Sequence, residues 1–390
     1  MKKLAIVGIL LYSIIFSNVM FVTAEEAKEG RQEESTNTPN LAENATSAIL
    51  MERDTGTILF EKNAHEQLPP ASMTKIMTML IMMEEIDKGR LSLDEKIRVS
   101  ERASSMGGSQ IFLEAGEEMT VEDLLKGIAI ASGNDASVAI AERISGSEEA
   151  FVQRMNEKAK ELKLKNTKFQ NSSGLPAKDH YSTAYDMAIM AKELLKYDMI
   201  TEYTSIYEDY LRKGQKNEFW LVNTNKLVRF YPEVDGLKTG YTSEAKYCLT
   251  ATALKDDMRV IAVVMGAPTV KERNATVTAM LDYAFNHYQS HKLYDKGDTI
   301  TVLEHLKAEN RKINVVVPES VSTLSPKGVS MEDVTTKIDI KEDLELPLTK
   351  GDRVGTLIIE KDGETILTTP LVVAEDVKTA SYFTLIKLSL

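Results

Sequence analysis

Three short motifs, Ser72-Met73-Thr74-Lys75, Ser132-Gly133-Asn134 and Lys238-Thr239-Gly240, follow one another in a chain of 390 residues. Each supplies one part of a serine acyl-transfer site: a hydroxyl nucleophile with an amine close by, a hydroxyl and amide pair to relay protons and hold a substrate, and a cationic strand to receive a carboxylate. A fold that uses all three must gather residues far apart in sequence into one cleft. No motif is decisive alone. Ser243-Glu244-Ala245-Lys246 repeats the first spacing and Ser35-Thr36-Asn37 resembles the second, but one lies in a strand-rich stretch and the other in a polar tail. Lys-Thr-Gly occurs once.

The local patterns give each motif the context its chemistry needs. After Pro69-Pro70, residues 72–88 carry Ile76, Met79, Leu80 and Met83 at spacings of three and four, which predicts a helix closed by Gly89. At the start of a helix, positions i and i+3 share a face, so Ser72 and Lys75 become neighbours. Lys75 activates Ser72 only as a neutral amine; burial and a second cation, for which Lys238 is the candidate, lower its pKa. The helix N-terminus also aims a backbone N–H at a developing oxyanion. Helical periodicity covers residues 121–143, 148–162 and 183–195, with Ser132 and Asn134 expected in a turn after an apolar helix over 121–131. Lys238-Thr239-Gly240 follows the apolar–polar stretch 234–237, as in an edge strand whose glycine admits a substrate to the backbone.

The wider organisation is that of an α+β protein in two parts. Apolar runs at 48–51 and 58–60 flank Asp54-Thr55-Gly56, a hairpin signal, while 247–253 and 259–265 read as strands and 270–288 as an amphipathic helix. Strands, then helices, then strands and a terminal helix imply helices packed on an antiparallel sheet whose first and last strands are neighbours. This catalytic domain is assigned to residues 45–290. From 291 to 377, short Val, Ile and Leu runs alternate with turns such as Lys296-Gly297-Asp298 and Lys361-Asp362-Gly363, the pattern of a small all-β domain that serves as a spacer or interaction module. Residues 378–390 place Phe383, Ile386 and Leu390 at helical spacing, which fits an amphipathic tail on a membrane surface and equally a disordered tail or an edge strand.

At the other end, Lys2 and Lys3, the apolar run 4–21 and Val22-Thr23-Ala24 read as a secretory signal over residues 1–24. The body of the protein is therefore expected to be secreted across the cytoplasmic membrane, on the extracellular or cell-envelope side. Residues 25–44 have almost no large apolar side chains and are expected to be a disordered tail. A single cysteine, Cys248, excludes an internal disulfide and reads as a small buried hydrophobe. The net charge of −12 leaves no basic stripe for phosphates, so nucleic acid is not an expected partner. His65, His180, His287, His291 and His305 show no paired ligand spacing, and neither a metal nor another cofactor is expected.

The three motifs are similar to those of class A β-lactamases and penicillin-binding proteins. Over residues 48–390 the chain resembles a low-molecular-mass penicillin-binding protein of the serine-type D-alanyl-D-alanine carboxypeptidase family (peptidase S11-like). Ser132-Gly133-Asn134-Asp135, Asn171-Ser172-Ser173-Gly174-Leu175 and the β-rich C-terminal part carry the likeness. It implies a β-lactamase/transpeptidase-like domain with a helical subdomain. It further implies Ser72 as acylated nucleophile, Lys75 as general base, Ser132 and Asn134 in proton relay and substrate amide binding, and Lys238 and Thr239 on a terminal carboxylate. Gly240 falls in the same substrate-binding strand, an oxyanion site lies between the backbone N–H groups of Ser72 and Tyr241, and Arg273 assists the carboxylate. The family commonly has histidine where this chain has Tyr241, which leaves the backbone role intact and puts a side-chain role in doubt. The implied activity is removal of the terminal D-alanine from peptidoglycan stem pentapeptides, with β-lactam antibiotics as covalent inhibitors. Class A β-lactamases deacylate with a glutamate, whereas residues 165–173 here contain no acid. A peptidoglycan endopeptidase uses the same residues with a different pocket shape. A β-lactam sensor needs a spanning segment, and no apolar run after residue 24 is long enough.

Overall fold

The computed structural model describes residues 39–331 and 333–380. The expected signal, most of the polar tail and residues 381–390 of the expected amphipathic segment lie outside the described residues. A hairpin of β1 (Ser47–Glu52) and β2 (Ile58–Lys62) opens the fold, followed by a 3-10 turn (Ala71–Thr74) and α1 (Lys75–Asp87). The middle of the chain forms β3 (Lys96–Arg98), α2 (Glu101–Ser104), β4 (Glu118–Thr120), α3 (Val121–Ala129), α4 (Asn134–Ser145), α5 (Glu148–Glu161), α6 (Ala184–Leu194) and α7 (Met199–Thr204). A second hairpin, β5 (Glu208–Leu211) and β6 (Phe219–Val222), leads through α8 (Leu227–Phe230) to β7 (Val234–Thr242), β8 (Lys246–Lys255), β9 (Met258–Ala267) and α9 (Val270–His287).

The main sheet is antiparallel in the order β2-β1-β9-β8-β7. Ala48 of the first strand stands opposite Val264 of the last, so the two ends of this half of the chain close on each other. The strands alternate between two cores. Ile49, Met51, Ile261, Val263 and Met265 pack under the helices α1 to α6, while Ala48, Leu50, Val260, Ala262 and Val264 pack under Val277, Met280 and Leu281 of α9. A sheet covered on both faces explains why β1 and β9 read as continuous apolar runs. β7 is left at the sheet edge.

The C-terminal part is all β. Its strands are β10 (Tyr288–Tyr294), β11 (Thr299–Glu304), β12 (Lys312–Val316), β13 (Val321–Pro326), β14 (Val334–Ile340), β15 (Arg353–Lys361) and β16 (Glu364–Val373). Five of them form the sheet β11-β12-β16-β15-β14 over a core that includes Ile313, Val315, Leu357, Ile359 and Leu371, and β10 pairs with β13. Among the described residues no helix is long and apolar enough to cross a membrane.

Four expectations need correction. The helical stretch 121–143 is broken, because Ser132 adopts a left-handed φ of 66° and the chain restarts its helix at Asn134, which therefore belongs to α4 and not to the turn. Ser72 lies on the 3-10 turn, with the α-helix beginning only at Lys75. Residues 41–44 form a turn and not a loose tail, since Ala42 is fully buried and Lys62 Nζ donates to the carbonyls of Ala42, Glu43 and Ala45 at 2.8, 2.9 and 2.8 Å. Residues 378–380 still belong to the β fold: Thr379 bridges Ala308, and Ala380 N donates to the Lys307 carbonyl.

Helix α9 is started by Thr269, whose Oγ1 accepts from Glu272 N at 3.1 Å and donates to Glu272 Oε2 at 2.7 Å. Thr269→Ala is expected to remove this cap at a cost of about 1 kcal/mol. Thermal unfolding should show a midpoint lower by about 1–2 °C.

Candidate active site

Ser72 is carried on a turn that is clamped from three sides. Met73 is fully buried against the sheet, where its sulfur accepts from Thr250 Oγ1 of β8 at 3.3 Å. Gly174, at a φ of +85°, lies so close that a Cβ there would stand 1.8 Å from the Ala71 carbonyl oxygen. A Cβ on Gly240 of β7 would meet the Pro70 carbonyl at 2.8 Å. Only glycine lets the 171–175 loop and the edge strand close on this turn.

The first turn of α1 places Lys75 beneath Ser72. Lys75 is fully buried; its Nζ donates to Asn134 Oδ1 and to the Ser173 carbonyl, both at 2.7 Å, and lies 3.1 Å from Ser72 Oγ. A neutral amine has two N–H donors and one lone pair. With two carbonyl-type acceptors taking the two N–H groups, the remaining direction, toward Ser72 Oγ, is that of the lone pair. Burial, reinforced by the nearby Lys238 cation and opposed by Asp135, holds the Lys75 pKa well below its ordinary value.

The second motif is fixed by its neighbours. Asn134 uses Oδ1 on Lys75 and Nδ2 on the Gly107 carbonyl at 2.7 Å, so it positions Lys75 and offers a substrate only its second amide hydrogen. Asp135, almost fully buried, accepts from the backbone N–H groups of Ile111 and Leu113 at 3.1 Å and of Ala136 at 2.9 Å, which straps the 107–113 segment over the site. Ser132 is held in its left-handed conformation with Oγ buried and bonded to no described group. A buried hydroxyl without a partner costs about 1–3 kcal/mol, a cost that a ligand or a transferring proton can relieve.

The third motif forms a buried cationic wall. Lys238 is 1% exposed and its pKa is pushed down to about 7 by burial and by the Arg273 guanidinium. Arg273, projecting from α9, is itself buried and bonds Asn274 Oδ1 at 3.0 and 2.9 Å. Thr239 Oγ1 donates to Thr224 Oγ1 at 2.8 Å. Tyr241 is more than half exposed and packs its ring on Tyr247 with centroids 4.5 Å apart, leaving only its backbone in the strand. The nine candidate residues thus fall on four units: the turn with α1, the α3–α4 junction, β7 and α9.

The sequence patterns did not reveal four supporting residues. Glu148 accepts from Ser172 N and Oγ at 3.1 and 2.8 Å, and Thr78 Oγ1 donates to the Ser172 carbonyl, so together they seat the loop whose Ser173 carbonyl holds Lys75. Thr224 backs Thr239. His180, expected to be an ordinary histidine, is buried; its Nδ1 accepts from Gln170 N, so Nε2 carries the proton and donates to Thr74 Oγ1 at 2.8 Å. Burial lowers its pKa to about 4, which keeps it neutral. None of these contacts has a sequence signal, because each joins residues distant in the chain.

Comparison with known proteins gives a consistent result. The profile of the D-alanyl-D-alanine carboxypeptidase family (peptidase S11) matches residues 32–269, and that of the penicillin-binding protein 5 C-terminal domain matches residues 288–379. The chain is 55% identical over 377 residues to the D-alanyl-D-alanine carboxypeptidase DacF of Bacillus subtilis, covering 97% of each chain. Penicillin-binding protein 5 of Haemophilus influenzae superposes with a TM-score of 0.67 at 31% identity, over 86% of this chain and 98% of that one. Penicillin-binding protein D2 of Listeria monocytogenes, solved in its cefotaxime-bound form, gives 0.58 at 31% identity, over 63% of this chain and 99% of that one.

Because Lys238 is a cation below about pH 7 and loses its charge above it, affinity for a ligand carboxylate is expected to fall as pH rises through about 7. Lys238→Arg should abolish this pH dependence, since a guanidinium does not titrate there. Calorimetric titration with an N-acylated dipeptide acid across neutral pH checks both.

Proposed function

The chain belongs to the D-alanyl-D-alanine carboxypeptidase family of serine hydrolases, and on that premise we propose that Ser72 is its acylated nucleophile, with Lys75 as base. The family activity is removal of the terminal D-alanine from peptidoglycan stem peptides through a serine acyl-enzyme, which penicillin also forms. The observation that carries the assignment is the Lys75 amine, buried and 3.1 Å from Ser72 Oγ with its other two directions occupied.

In the proposed reaction, neutral Lys75 takes the Ser72 proton as Oγ attacks the carbonyl of the penultimate D-alanine. The oxyanion forms against the backbone N–H groups of Ser72 and Tyr241. Lys238, Thr239 and Arg273 receive the terminal carboxylate, and Gly240 lets the peptide lie along β7. The proton passes through Ser132 to the amine of the departing D-alanine, breaking the peptide bond. Water, deprotonated within the same Lys75 and Ser132 network, then releases the acyl peptide and restores Ser72. Asn134 keeps Lys75 in place throughout. No step draws on a cofactor or a metal ion.

The division into residues 45–290 for catalysis and 291–377 as a separate β domain is part of this reading, as is export by residues 1–24 to the cell envelope. The polar segment that follows residue 24 and the helical spacing of Phe383, Ile386 and Leu390 support a protein held near the outer face of the cytoplasmic membrane.

Ser72→Ala should form no covalent penicillin adduct by intact mass and lose D-alanine release from a D-Ala-D-Ala peptide by a factor on the order of a thousand or more. An adduct on wild type without D-alanine release would favour the endopeptidase reading. Absence of an adduct on wild type would reject Ser72.

A further inference from the structure

A cavity of about 600 Å³ lies beside the nucleophile, bounded by Ala71, Gly174, Leu175, Lys178, Thr242 and Glu244. Ala71 precedes Ser72, and Thr242 and Glu244 follow the third motif along and just beyond β7. Lys238 and Thr239 are not in its wall. It therefore sits on the side of Ser72 away from the carboxylate receiver, where the part of a peptide that precedes the scissile bond has to leave the site.

The spacing fits. From Thr239 to Thr242 the strand advances roughly 10 Å. Two extended substrate residues cover about 7 Å, and the terminal carboxylate adds its own bond lengths. A peptide with its carboxylate at Thr239 thus brings the residue before D-Ala-D-Ala level with Thr242 and the cavity.

The charges in the wall are specific. Glu244 and Lys178 are both exposed, and neither makes an ion pair or side-chain hydrogen bond with any described residue. The third charged group, Asp179, faces Lys168 at 3.8 Å, and His180 is neutral and engaged with Thr74. One free anion and one free cation remain.

We propose that this cavity is the subsite for the side chain of the residue preceding D-Ala-D-Ala, and that Glu244 and Lys178 select a side chain ending in both an ammonium and a carboxylate. Glu244 pairs with the ammonium and Lys178 with the carboxylate. The assignment rests on the reading above, with Ser72 acylated and Lys238 and Thr239 on the terminal carboxylate.

The test is kcat/KM for D-alanine release from three N-acetylated peptides that differ only at the residue before D-Ala-D-Ala: meso-diaminopimelate, lysine or norleucine. The order expected is diaminopimelate above lysine above norleucine, each step roughly two- to five-fold, the size of a solvated ion pair. Glu244→Gln should erase the advantage of lysine over norleucine, and Lys178→Gln the advantage of diaminopimelate over lysine. Equal values for the three peptides on wild type, or an order unchanged in both variants, would overturn the subsite. Release from none of the peptides by wild type would instead reject the underlying reading, and the subsite with it.

Discussion

The buried amine of Lys75 is the constraint around which the rest of the catalytic half is arranged. A full ammonium in that position, out of contact with water, costs several kcal/mol unless it is paired, and no carboxylate among the described residues bonds to it. The fold instead surrounds it with two neutral acceptors, Asn134 Oδ1 and the Ser173 carbonyl, and a hydroxyl. Each acceptor needs its own support. Asn134 is anchored to the Gly107 carbonyl, Ser173 belongs to a loop seated by Glu148 and Thr78, and that loop approaches the Ser72 turn only through Gly174. The same burial that makes the site expensive makes the amine basic in the required sense, as a neutral group with a free lone pair.

The cations of the site have divided tasks because their surroundings differ. Lys75 and Lys238 are both buried, yet burial and the Lys238 cation hold the Lys75 pKa well below its ordinary value while burial and Arg273 bring Lys238 down to about 7. Arg273 keeps its charge and adds to the field on Lys238. An incoming carboxylate thus meets positive charge beside β7, while the nucleophile meets a base. The arrangement separates anion recognition from proton transfer over one short edge strand.

The β-rich C-terminal part joins the catalytic half through Leu324 of β13, which packs against the core under α9, and through polar contacts. Ser322 Oγ donates to Asp54 Oδ2 at 2.8 Å, Lys196 pairs with Glu319 at 2.9 Å, and Lys296 Nζ donates to the Lys196 carbonyl at 3.0 Å. These contacts meet the β1–β2 turn and the end of α6, on elements that carry none of the candidate catalytic side chains.

Much of this was written in local sequence. The apolar alternation of β1 and β9, the i, i+3 spacing of Ser72 and Lys75, the Asp54-Thr55-Gly56 turn and the single Lys-Thr-Gly are properties of neighbouring residues, and local periodicity reports them directly. What it could not report were distances between remote segments. The break at Ser132 depends on a left-handed residue that nothing in its side chain demands. The occupation of both ends of Asn134, the tie from Glu148 to Ser172 and the neutral His180 under Thr74 come from chains brought together by packing. The sequence by itself determined which chemical groups were available and in what order. Only the tertiary structure decided which of them are buried, and burial, through the loss of water, is what turns an ordinary lysine into a base.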